Sequence, residues 1–197
     1  MDHSFSMLQI MNAALSTQGF DEIVAENDGS EEWRVLSRNW PLIVDAELEA
    51  GAYFYTREQV QLTQETAGKF GFSISYLVPA TALHVRRLWI MNNGVRDTDI
   101  PWGQDGTHVH CDHSGGVFIE YMISSDPAVW GANFSLGVSK KLEAVLLRLK
   151  EEMAAAKSMD DDADEFFQTA RTMSSKGRSA TEPYKPSRFA NARFRRG

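Results

Sequence analysis

One cysteine in 197 residues leaves no intramolecular disulfide to be made, so packing rather than cross-linking must hold this chain together. Six prolines are scattered along it, and no internal repeat or low-complexity stretch divides it into modules. No apolar run reaches the length needed to cross a bilayer. The opening Met1-Asp-His-Ser-Phe-Ser-Met7 lacks the basic and apolar stretches of a secretory signal, so a protein soluble and cytoplasmic when made is expected. A G-x-x-x-x-G-K phosphate loop and a nucleophile elbow for a Ser/His/Asp triad are both missing. Histidine is scarce: of the five, none follows His113. What remains is an ordinary globular composition, 43% hydrophobic and 24% charged, enough for one core or one domain with an insertion.

Charge is unevenly placed. Residues 171–197 hold eight basic residues against the single acid Glu182, a net of +7. The whole chain is −7, so residues 1–170 carry −14. An acidic body with a basic arm points to docking on an acidic partner or on nucleic acid. Tyr184, Phe189 and Phe194 lie between the basic residues, which favours a protein partner over a purely solvated tail.

Periodicity gives the organisation. Phe5, Leu8, Met11, Ala14 and Leu15 recur at helical spacing, which predicts a helix over 4–17, capped by Ser4 or Ser6 and ended by Gly19. A second helix is expected from Glu31, with Pro41 kinking it or opening a third that runs to Leu48. From Gly51 the texture turns β-like: Tyr53-Phe-Tyr-Thr56, Val60-Gln-Leu-Thr63, Phe72–Tyr76 and Val85–Met91, the last ended by the hairpin signal Asn92-Asn-Gly94. A long amphipathic helix is expected from Ala132 to about Lys157, with Phe134, Val138, Leu142, Val145, Leu146, Leu149 and Met153 as its apolar stripe. The acidic run Asp160–Asp164 reads as the start of a further helix. The fold class expected is therefore α+β: an antiparallel helical bundle built from 1–50 and 125–170, an inserted small antiparallel β module over 51–124, and an extended C-terminal arm over 171–197.

Residues 107–116 read Thr-His-Val-His-Cys-Asp-His-Ser-Gly-Gly. The string His108-x-His110-x-Asp112-His113 resembles the zinc site of metallo-β-lactamase-type hydrolases, where imidazole and carboxylate ligands leave one position for an activated water. A zinc-dependent hydrolase is thus the alternative reading. Its context argues otherwise. A polar loop precedes the string where that family has a buried strand, and the strand-like Val117–Ile123 follows where a helix is needed. The later histidine ligands are missing as well. The string is expected to form the exposed tip of a 107–123 hairpin turning at Ser114-Gly-Gly116. No catalytic residue, metal or cofactor is assigned.

Three segments resemble the head-to-tail adaptor family of tailed bacteriophages, also called tail tubular protein A or the head-completion adaptor. They are Met11–Leu15 through Gly19 with Ser37-Arg-Asn-Trp40-Pro41; Tyr76-Leu-Val-Pro79 with Leu83-His-Val85; and Tyr121, Asp126-Pro-Ala-Val-Trp130 and Phe134 with the helix after it. Thr81 stands where the family commonly has an acid. The resemblance spans nearly the whole chain. It implies a structural virion protein, not an enzyme, located at the head–tail junction and assembled in the host cytoplasm. Such a protein forms a homo-oligomeric, dodecameric ring that docks under the portal protein, extends the DNA ejection channel and receives a downstream tail or nozzle protein. Double-stranded DNA would pass through the lumen without sequence-specific binding, and an acidic lumen would not hold its phosphates. Arg178, Tyr184, Arg188, Phe189, Arg193, Phe194, Arg195 and Arg196 are the expected portal-docking arm. Trp40, Pro79, Asp126, Trp130 and Phe134 are the expected structural anchors, Trp130 and Phe134 pinning the following helix onto the β module.

Overall fold

The computed structural model describes residues 5–51 and 53–176, and the fold is mixed α+β, with four helices and two antiparallel sheets among these residues. Helix α1 spans Met7–Thr17. Ser6 caps it, its hydroxyl accepting from the Gln9 amide while the Gln9 side chain accepts from the Ser6 amide. Helix α2 spans Glu31–Gly51 without interruption, so Pro41 neither ends nor restarts it. A mid-helix proline costs about 3 kcal/mol. Against that stands one apolar stripe, Trp33, Leu36, Val44 and Leu48, each buried and each worth roughly 1.5–3 kcal/mol. Burial wins. The expected strand at Tyr53–Thr56 is instead a 3-10 turn over Phe54–Thr56, closed because the Thr56 amide and hydroxyl both bond to the Tyr53 carbonyl.

The strands are β1 (Arg57–Leu62), β2 (Glu65–Ala67), β3 (Ile74–Leu77), β4 (Ala82–Asn92), β5 (Val95–Asp97), β6 (Trp102–Asp105), β7 (His108–Cys111) and β8 (Val117–Ile123). One sheet has the order β1-β8-β4-β5 and the other β2-β3-β7-β6. Asn93 and Gly94, both at positive φ, make the two-residue turn between β4 and β5 that the sequence predicts. The 107–123 hairpin does not form: β7 pairs with β3 and β6, while β8 pairs with β1 and β4 in the other sheet. The reason lies in Asp112–Gly116, where the Tyr76 hydroxyl donates to the His113 carbonyl and Glu65 accepts from the Gly115 amide. Those bonds hold the segment on the second sheet as the chain crosses to the first.

Helix α3 spans Ala132–Leu149 and α4 spans Met153–Lys176. The single long helix expected to Lys157 breaks at Glu151, whose φ is 62°. The acidic run therefore lies inside α4 rather than at its start, and residues 171–176 continue the helix instead of opening an arm. Asn133 meets Met173, Phe134 meets Phe167 and Lys141 meets Asp160, so α4 runs back along α3. Of the expected stripe, Phe134, Val138, Leu142 and Leu146 are buried, whereas Val145 is half-buried and Leu149 and Met153 are exposed.

Two cores result. The helical one takes residues from Ile10 to Tyr53 and from Trp130 to Ala170. The other fills the space between the sheets with residues from Leu62 to Tyr121. They meet where Leu83 packs on the helical core, where Ser124 donates to Asp45 at 2.9 Å, and where Thr56 lies 3.8 Å from the Met122 sulfur.

Candidate functional site

Strand β7 is central in its sheet, with β3 on one side and β6 on the other. Alternation sends Val109 and Cys111 into the core between the sheets and places His108 and His110 together on the other face, their rings stacked at 6.4 Å. His110 is only 1% exposed, so the expected exposed tip is a buried strand. The cause is local. Phe70 closes over the His110 ring edge-on at 5.4 Å, and Ser75, the register partner on β3, brings its Oγ to 2.5 Å from Nδ1. On the far side Nε2 lies 3.2 Å from Asp105 Oδ1, in ion-pair reach but off the line of a hydrogen bond. His108 Nδ1 pairs with the Thr107 hydroxyl at 2.9 Å and lies 3.9 Å from the same Asp105 oxygen. Desolvation pulls the Asp105 carboxyl upward, but the adjacent His110 imidazole, with help from Lys69, outweighs it and holds the group below its ordinary value. Burial pushes the Cys111 thiol up, away from a reactive thiolate.

The zinc-like string does not converge. The Asp112 carboxylate accepts from the Ser73 amide at 2.8 Å and the Ser73 hydroxyl at 2.9 Å, away from the two stacked imidazoles. Among the described residues no three His, Cys, Asp or Glu side chains gather as a metal would require. Ser75, His110 and Asp105 do follow the contact order of an acyl-transfer triad. The order is reversed relative to solvent, however. Ser75 is 1% exposed and its hydroxyl donates to the Ala67 carbonyl, while the carboxylate is the outward end. A nucleophile must be reachable, and this one is not. The array ties β3, β6 and β7 to the loop before β3.

The anchors form the second constellation. Trp40 stacks on Trp130 at 5.6 Å, and Trp130 meets Phe134 edge-on at 4.6 Å. Phe134 then touches Tyr53 at 4.9 Å and Phe167 at 5.5 Å. All five belong to or pack on the helical core, so Trp130 and Phe134 fasten α3 to α2 and α4, not to the sheets as expected. The sequence spacing was compatible with either partner; it fixed the pair but not its direction. Trp130 also donates from Nε1 to the Ser125 hydroxyl at 2.9 Å. Asp126 accepts from the Ala128 amide at 2.8 Å and opens a short 3-10 turn over Pro127–Val129. Pro79 accepts from the Ala82 amide in the turn before β4.

Beside this cluster Glu47 takes two bonds from Arg171, 2.9 Å from Nε and 2.6 Å from Nη2, and a third from the Tyr53 hydroxyl at 2.6 Å. Burial and the Glu47 charge together drive Tyr53 far above its ordinary range. A groove of about 300 Å³, lined by Phe54, Asn133 and Met173 among others, opens next to it at the end of α4. Arg178, Tyr184, Arg188, Phe189, Arg193, Phe194, Arg195 and Arg196 lie outside the described residues. A larger groove, about 520 Å³, runs between α2 and α3 and carries Arg34 and Arg38 beside Val145 and Leu149. Sequence reasoning missed it, although two arginines four apart on an amphipathic helix were a readable sign.

No protein-family model matches the chain, and no curated protein matches it significantly.

Proposed function

We propose that this chain is the head-to-tail adaptor of a tailed bacteriophage. Copies form a ring, dodecameric by the family resemblance, that docks beneath the portal, prolongs the DNA channel and receives the tail below. The four helices act as an antiparallel bundle and the two sheets as a module inserted between α2 and α3. The observation that carries this reading is the contact of Trp40, Trp130 and Phe134. These residues come from two separate segments of the resemblance, and their rings meet at the helical core, Trp40 stacked on Trp130 and Trp130 edge-on to Phe134. The protein has no catalytic role in this reading, and Ser75, His110 and Asp105 serve the fold.

Residues 1–170 carry −14. In a ring, such a body would present a lumen that repels phosphates and lets duplex DNA pass without specific contacts. The basic, aromatic residues after α4 dock on the portal, where charged and aromatic groups together supply both steering and anchoring. Sizing the chain alone and with portal rings tests the assignment, because an adaptor shifts into the portal fraction. Truncation should begin at residue 177, since Arg171 is part of the fold. Loss of portal binding on that truncation supports the arm's role, and intact binding overturns it.

A further inference from the structure

Most cations before residue 171 are engaged inside the chain: Lys69 with Asp105, Lys140 with Glu143, Arg148 with Asp160 and Lys157 with Asp161. Arg34 and Arg38 are different. They sit one turn apart on α2, both exposed, and among the described residues neither meets a carboxylate, a carbonyl or an aromatic face. Like charges at that spacing repel, and Glu31, one turn before Arg34 on the same helix, offsets only part of that charge. Both line the 520 Å³ groove beside Glu31; its other wall supplies Val145, Arg148, which is already paired with Asp160, and Leu149, 59% exposed. Two guanidiniums beside two aliphatic side chains suit a protein surface that offers acids next to an apolar residue better than the charged phosphate backbone of nucleic acid.

The acidic body holds one such surface. Asp162 and Glu165 are exposed on the outer face of α4, neither is ion-paired among the described residues, and the half-buried Phe166 follows directly. Their spacing, three apart on a helix, matches the reach of two arginines four apart. The basic arm after residue 176 is the wrong sign to fill the groove. We infer that the Arg34/Arg38 groove of one copy receives the Asp162/Glu165 face of α4 of a second copy. The two faces are different surfaces of one chain, so the contact is heterologous and propagates beyond a dimer, closing into the ring of the reading above when the rotation between copies closes. The inference rests on the ring reading above and names its subunit contact.

Charge exchange tests it with the full chain. The R34E/R38E variant and the D162K/E165K variant should each self-associate at least roughly tenfold more weakly than the parent in sedimentation at low salt. The variant carrying all four changes should regain association, because the pairs are restored with signs exchanged. Circular dichroism of each variant separates lost contact from lost fold. Unchanged association in either two-residue variant overturns the inference, as does failure of the four-residue variant while it remains folded. A parent chain that stays monomeric up to millimolar concentration at low salt also overturns it. Duplex DNA binding that is abolished by R34E/R38E while self-association persists would reassign the groove to phosphates. Portal binding is measured separately, so rings that form regardless of these charges leave the adaptor reading standing and sink only this contact.

Discussion

Gly137 offers the cleanest test of how α3 and α4 meet. A glycine inside an exposed helix is a defect, and alanine there stabilises by about 0.8–1.0 kcal/mol. Gly137 is not exposed. A methyl group built on it would lie 2.6 Å from Cε1, 2.7 Å from Cδ1 and 3.1 Å from Cζ of Phe167. Carbon atoms pack at roughly 3.5–4.0 Å, so about 1 Å of room must be found. Phe167 cannot supply it freely, because its ring is 2% exposed and already rests on Phe134 at 5.5 Å. Overpacking of this kind costs about 1–3 kcal/mol. Subtracting the helix-propensity gain leaves G137A between neutral and destabilised by about 2 kcal/mol, at most several degrees in Tm for a chain of this size. Urea unfolding at constant m-value measures it. The same substitution in an F167L background should recover most of the loss, because the obstructing ring edge is gone. A G137A variant more stable than the parent by about 1 kcal/mol would refute the close approach, and so would an equal loss in both backgrounds.

Three further outcomes follow from local chemistry. Asp126→Ala removes the cap on the Ala128 amide and should lower stability by about 0.5–2 kcal/mol in the same assay, with Asp126→Asn retaining most of it. Burial, with the bonds to Glu65 and Glu58 adding to it, pushes Tyr76 and Tyr121 each up to about 12. The folded state therefore keeps a proton that the unfolded chain releases near pH 10.0, so this stability is whole below pH 10.0 and is lost as pH rises toward 12. Phenolate absorbance should show both rings neutral at about pH 11, and ionisation at the ordinary tyrosine value would contradict their burial. Asp105 runs the other way: its carboxyl is held low when folded, so its contribution is present above the ordinary carboxylate range and fades as pH falls through the lower folded value. Asp105→Asn should flatten that part of an acid-unfolding curve, and an unchanged curve would show that His110 does not act on it.

Helix existence was legible wherever a stripe of large side chains recurred. Trp33, Leu36, Val44 and Leu48 marked α2 even across Pro41, because burial outweighs one missing bond, whereas a local rule broke the helix there. The α3–α4 break was not legible. Val145, Leu149 and Met153 continue the period, but Glu151 adopts a left-handed backbone that no residue type at that position announces. The turn at Asn93-Gly94 was legible, since its chemistry is local. Strand partners were not: Ser114-Gly115-Gly116 has hairpin composition, yet Tyr76 and Glu65, distant in sequence, decide that the chain crosses between sheets there.

The His-rich string shows why spacing in sequence and convergence in space are separate facts. An H-x-H-x-D-H string gathers ligands only where the chain turns so that every side chain points inward. Here its first half is a strand, and a strand with period two can aim only alternate residues at one point. His108 and His110 share a face for that reason, and Asp112 is drawn off to Ser73 once the strand has ended. Of the groups that meet His110, Asp105 lies just across the tight β6–β7 turn, but Ser75 comes from β3 at a sequence distance that no local motif encodes. They give a buried, hydrogen-bonded cross-tie of the second sheet. Replacing His110 with leucine tests that role directly. It leaves the Ser75 hydroxyl with the Ala67 carbonyl alone and removes one of the partners of Asp105, so roughly 1–3 kcal/mol of stability should go with the lost buried bond. A variant as stable as the parent, with Asp105 still titrating low, would mean that the imidazole ties nothing together.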